Sequence, residues 1–490
     1  MTTHARLALL GLLAIGFSLL VSSAGAGIST ERVSVASDGT QANERSLWPA
    51  ITPSGRYVAF QSYASNLVDG DSNGQGHVFV RDRYTHTTER VSVDSDGIQG
   101  NGASGGWGLA ISSDGRYVAF SSSATNLVAD DTNGKDDIFV HDRDTDTTER
   151  VSVDSAGSQA DGWNGWAPAI SGDGRYVAFS SSATNLVADD TNGKDDIFVH
   201  DRDTDTTERV SVDSAGSQAD GLSGFLGIAM SEDGRYVAFD SYATNLVPDD
   251  TNGEVDLFLR DRDTDTTERV SVDSAGNEAN GWSDVEAISR DGQHVAFASA
   301  ATNLISDDSN GKTDIFIHDR DTHTTELLSV NSDGDPANGN SYFPAISGDL
   351  RYVAFLSEAS DLVPDDTNGY DDVFLRDRAT GATKLISVSS DGEQADDSSG
   401  VTLVAIGLDN RFVAYDSFAT NLVPGDTNNS VDIFVDPPTA DPVGGLAELP
   451  DVAGDSGSSA GTYAALAGGL AAALIALTAG AWYARRRWSR

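Results

Sequence analysis

Read for the alternation of apolar and polar positions, residues 28–436 break into short runs that recur in a fixed order. In one copy the runs are 167–171, 175–181, 196–201 and 206–212, named A to D here, each of strand length and bounded by turn residues. Within run B, Tyr176, Ala178 and Ser180 alternate with Val177 and Phe179, yet both sets are mostly apolar. That pattern predicts strands covered on both faces. Asp173-Gly174 suits the positive φ of a tight hairpin between A and B, and Asp203-Thr204-Asp205 turns C into D.

The apolar residue opening the "VSV" end of each D run marks seven copies, at Val33, Val91, Val151, Val210, Val270, Leu328 and Ile386. The period, about 59 residues, exceeds the roughly 40–45 of a WD40 blade, and the surplus is the long loop between B and C. The seventh copy ends after its C run at Pro437-Pro438, while a spare D run, 30–35, precedes the first A run. Pairing the two predicts an all-β fold, a seven-bladed β-propeller closed by an N-terminal strand, with no incomplete blade.

The pair "S-x-D-G-R-Y-V-A-F" and "D-I-F-V-x-D" resembles the WD40-like repeats of TolB-type propellers, over all seven copies. The resemblance implies the fold and a prokaryotic cell envelope, where such propellers bind proteins. It does not extend to the separate N-terminal domain of TolB proteins, and the scaffold serves many roles.

The ends carry different signals. Residues 1–26 hold Arg6, an apolar run from Leu7 to Val21 and Ala24-Gly25-Ala26, which predicts a signal peptide cut after Ala26. An uncleaved anchor is the alternative, but the run falls short of the roughly 20 residues a span needs. Residues 437–462 read as a flexible stalk, 463–484 as a single C-terminal transmembrane helix, and 485–490 as a basic cytoplasmic tail. Export to the membrane with the propeller outside is the expectation. The tail also resembles cell-surface sorting signals, but Leu449-Pro450-Asp451-Val452 lacks the threonine a sorting enzyme cuts beside. Plain anchoring is therefore preferred to processing.

Composition narrows the chemistry. With 31 Lys+Arg against 76 Asp+Glu and a net charge of −45, the chain would repel phosphate backbones, which argues against a nucleic-acid partner. The absence of cysteine excludes disulfides and thiolate chemistry. Gly102-Ala103-Ser104-Gly105-Gly106 matches G-x-S-x-G only formally, since no helix is predicted after it. His141, His200 and His318 share one repeat position with Arg81, Arg260 and Arg376, which predicts a solvated, charge-tolerant place on strand C. No catalytic residue is assigned.

Two candidate sites remain, both on the face bearing the DA and BC loops. Aromatic residues of the variable DA loops, Trp48, Trp107, Trp163, Trp166, Phe225, Trp282, Tyr342 and Phe343, suit recognition of a protein or glycan at the cell surface, or else fill gaps between blades. The BC loops repeat Asp131, Asn133 and Asp137 as Asp190, Asn192, Asp196; Asp250, Asn252, Asp256; Asp308, Asn310, Asp314; Asp366, Asn368, Asp372; and Asp426, Asn428, Asp432. This spacing resembles the calcium loop of integrin-type propellers without its first ligand, so the cofactor it allows is calcium. The same residues also suit a plain Asn-Gly turn with Asp capping loop amides. The expected function is a membrane-anchored binding or scaffolding module. The alternatives are a carbohydrate hydrolase or lyase working in the central channel, to which Asp284, Glu286 and Glu358 would be candidate acids, and a structural envelope protein.

Overall fold

The computed structural model describes residues 30–165, 168–306, 308–407 and 412–437. Seven four-stranded antiparallel sheets follow one another along the chain. Blade 2 is typical, with strands A to D at Ser104–Ile111, Tyr117–Ser122, Asp137–Asp142 and Thr147–Arg150. The A strands of successive blades touch all the way round, which puts them innermost and the D strands outermost.

Blade 7 contributes Ser399–Ile406, Val413–Ser417 and Asp432–Asp436, and its fourth strand is Glu31–Arg32 from the other end of the chain. Glu31 pairs with Val435 and Arg32 with Phe434. The closing strand is shorter than the expected 30–35 for a local reason. The Ser34 hydroxyl accepts the Ile433 amide at 3.1 Å, a bond that a backbone carbonyl would take in a continuing ladder. Each blade repeats the device, as Ser152 does for Ile138, so the D strands end before their "VSV" tails.

Within each blade, strands B and C stack a fully buried aromatic pair, such as Phe120 on Phe139 with ring centroids 6.1 Å apart. On the AB/CD face an arginine after strand C reaches the preceding blade. Arg143 pairs with Glu89 and lies 4.4 Å from the Tyr57 ring centre, and Arg202 repeats this on Glu149 and Tyr117. The near-invariance of that face is thus accounted for by blade-to-blade latching.

Among the described residues no helix is long and apolar enough to cross a membrane. The signal peptide, the membrane helix, the basic tail and the stalk beyond Pro437 lie outside the described residues.

Candidate functional site

The BC loops gather the expected residues, but a protein cation already stands among most of them. In blade 2, Asn133 Nδ2 donates to Asp137 Oδ2 at 2.9 Å and to the Ala160 carbonyl, while its Oδ1 accepts the Lys135 amide. Ser152 donates to Asp137 Oδ1 at 2.6 Å. Arg150, the last residue of strand D, places Nη1 3.4 Å from both Asp131 and Asp137. Arg209 does the same for Asp190 and Asp196, and Arg32 for Asp426 and Asp432. In blade 1, Arg90 faces Asp71, and His77, held neutral by burial with a pKa near 4, bonds Asn73 and Ser92.

Among the described residues, blade 4 holds an acidic group that could take a metal ion, Asp250, Asp256 and Glu278, with oxygens within 4.8 Å of one another. Arg269 Nη1 lies 2.8 Å from Glu278, 3.3 Å from Asp256 and 3.8 Å from Asp250. Burial, and then the neighbouring Asp256, still raises the Asp250 pKa to about 6. In these blades the guanidinium occupies the place expected for an ion. The arginine was missed because it lies a whole strand beyond the loop. The signal was present, since it recurs before every "VSV" except where Leu327 and Leu385 stand.

The aromatics divide in two. Trp48 and Phe343 were expected in exposed loops, but they lie in strands Ser46–Ile51 and Ser341–Ile346, 7% and 4% exposed. Both have positive φ at an irregularity of the A–B register, which turns each inward. Trp163, Phe225, Trp282 and Tyr342 are half-buried and pack on the same apolar cluster as Trp48 and Phe343. These six come from blades 1, 3, 4, 5 and 6, so one apolar cluster links most of the ring. The Trp107 side chain and Trp166 lie outside the described residues.

The histidine expectation also fails. His141, His200 and His318 are buried, with Nδ1 at 2.9 Å from Thr148, Thr207 and Thr325. Each threonine hydroxyl donates to a carbonyl of the preceding blade, as Thr148 does to Val93, so the histidine nitrogen must be the donor. Arg81 donates to Thr88 in the same place, which explains the exchange of His and Arg without any solvated site.

Among the described residues, the acids that break the repeat form no cluster of their own. Asp284 is buried in strand Ser283–Ile288, Glu358 accepts from Asn340 at 3.0 Å, and the Glu286 side chain is outside the described residues. Two further buried acids brace strand A. Asp240 accepts the Phe225 and Gly227 amides, and Asp416 accepts the Thr402 amide and hydroxyl.

One rung of the DA/BC face varies far more than its surroundings. The residue after each B strand donates its amide to the loop entering strand A, giving the pairs Tyr63–Arg45, Ser123–Ala103, Ser182–Trp163, Tyr242–Leu222, Ala300–Trp282, Glu358–Asn340 and Phe418–Ser398. None of these side chains is fully buried, and Tyr242 is 46% exposed. The Arg45 guanidinium lies 4.4 Å from the Tyr63 ring centre. One step inward the blades instead repeat a buried hydroxyl pair such as Ser104–Ser122, with Asn164–Ser181 the exception.

No family model matches the chain, and no curated protein matches it in sequence. Among solved structures it is similar to an oligogalacturonate lyase in complex with manganese, at 12% identity and a TM-score of 0.52, over 84% of this chain and 94% of the other. It is also similar to a putative TolB from Agrobacterium tumefaciens, at 17% identity and a TM-score of 0.39, over 72% and 95% of the two chains. A third is the β-propeller domain of the Trilobed protease from Pyrococcus furiosus, at 12% identity and a TM-score of 0.47, over 80% and 95%. At these identities the likeness is one of fold alone.

Proposed function

We propose that the protein is a binding module whose DA/BC face takes one extended partner, a protein segment or a glycan, with the propeller exported and held outside the membrane. The observation that carries this reading is the rung of seven unlike pairs around the channel mouth. Repeats that are otherwise near-identical differ where a partner would lie, and differ in chemistry, from Arg45–Tyr63 to Leu222–Tyr242 and Asn340–Glu358. Seven like rungs would suit a multivalent array, whereas unlike rungs suit a single asymmetric ligand. Half-buried tryptophans such as Trp163 and Trp282 offer large contact area at small entropic cost. Calcium is proposed only for loops that lack an arginine.

Peptide-display selection and a glycan array, both run with the full chain, test this. Binders are expected whose affinity drops at least roughly tenfold when Tyr242 and Trp282 are both replaced by alanine, a loss of about 1.4 kcal/mol or more. Binders indifferent to that pair, or none at all, would remove the rung as the site. Turnover of a bound glycan would favour the lyase or hydrolase alternative.

A further inference from the structure

The blade 5 loop keeps the two aspartates and the asparagine of its neighbours but has lost the arginine that neutralises them. Leu327 stands where blades 2, 3 and 4 have Arg150, Arg209 and Arg269, and Pro336 stands where they have Gln159, Gln218 and Glu278. The acids stay inside nonetheless. Asp308 is 8% exposed and Asp314 fully buried, with Asp314 accepting from Asn310 at 2.7 Å and Ser329 at 2.6 Å. Neither carboxylate oxygen of Asp308 has a hydrogen-bond partner, and only a weak pull from the Asn310 amide offsets its burial. Each carboxylate bears electrostatically on the site, Asp308 opposing the charge of Asp314.

Buried carboxylates in folded proteins are paired or bound to metal, because an uncompensated charge away from water is expensive. Blade 6 also has a leucine, Leu385, at the arginine position, and there Asn368 and Ser387 hold Asp372, but it keeps Gln394, which donates to the Asp365 carbonyl. Elsewhere in the ring an arginine sits between the corresponding acids.

We propose that the BC loop of blade 5 holds a divalent cation of the hard, oxygen-seeking class in the place that a guanidinium fills in blades 2, 3, 4 and 7. Asp308 and Asp314 supply the charge, and water completes the shell, since hard cations of this class take six or more oxygen ligands. This inference concerns an ion inside one loop and is independent of whether the rung binds a partner.

Equilibrium dialysis of the full chain against calcium, with magnesium and manganese as parallel probes, decides it. Saturable binding is expected, and Leu327→Arg should lower the stoichiometry by one ion per chain, because it installs the cation used by the neighbouring blades. Leu327→Arg combined with Pro336→Gln restores the whole neighbouring set and guards against misfolding of the single variant. Asp308→Asn should lose the same ion. A wild-type chain that binds none of the three metals saturably, or arginine variants that fold and keep the full count, would overturn the proposal and leave Asp308 as a carboxyl that simply stays protonated.

Discussion

The Thr30 hydroxyl donates to Asp436 Oδ1 at 2.6 Å, joining residues 406 apart in sequence. Tyr415 donates to the other carboxylate oxygen, so the last residue of strand C in blade 7 anchors the first residues of the propeller. Ring closure therefore rests on a short ladder, Glu31–Arg32, backed by a buried polar cluster. Removing residues 28–36 exposes the edge of strand C in blade 7 and should abolish the single cooperative melt. Thr30→Val, which leaves Asp436 one donor short, should cost about 1–3 kcal/mol in a urea titration.

The same cluster predicts a pH dependence. Burial raises the Asp436 pKa to about 7, against the bonds from Thr30 and Tyr415 that lower it. A carboxyl whose folded pKa exceeds its unfolded value binds more protons in the native state, so its contribution to stability is full at low pH and is lost as pH rises through 7. At roughly 1.4 kcal/mol per pKa unit the swing is on the order of 4 kcal/mol at most. Asp436→Asn should flatten the fall in stability between about pH 4 and 7, measured by denaturant titration. An unchanged slope would show that Asp436 does not set it.

Arg150 lies among acids that are 2% and 0% exposed at their side chains. Arg150→Leu strands them and should cost about 3–5 kcal/mol in EDTA. If the ion inference holds, calcium should restore part of that loss, because the variant copies the native arrangement around Leu327.

The glycine of the AB turn is required by the neighbouring blade. Gly174 has φ +77°, and a Cβ there would lie 2.1 Å from the Tyr117 ring. Blade 6 has Leu350 at this place with φ +62°, and the residue at the tyrosine position of blade 5 is His294. Gly174→Leu should destabilise by more than about 2 kcal/mol, and adding Tyr117→His should recover part of it, a coupling that a double-mutant cycle reads directly.

Trp48→Ala or Phe343→Ala should behave as core deletions, costing about 3–5 kcal/mol. Trp163→Ala and Trp282→Ala, on half-buried side chains, should cost less stability and weaken partner binding instead.

How much of this was legible in sequence differs by element. Seven sheets, their strand order and the closure by the N-terminal strand were fixed locally, because turn residues punctuate each run and the apolar pattern allows only strands covered on both faces. The spacing of Asp131, Asn133 and Asp137 was equally visible, and those residues do converge. What tertiary structure alone decided was the company they keep. Arg150 follows Asp137 by a strand and a turn, and only antiparallel pairing of strands C and D brings its guanidinium back to the loop. The aromatics were placed outside because their neighbours looked like loop, yet strand A is innermost in each blade and carries Trp48 and Phe343 into a buried apolar cluster. Sequence determined the repeat and which blades lack the arginine; the pairing of strands C and D brought arginine and acids together, and contacts between blades, far apart in the chain, decided which residues are buried.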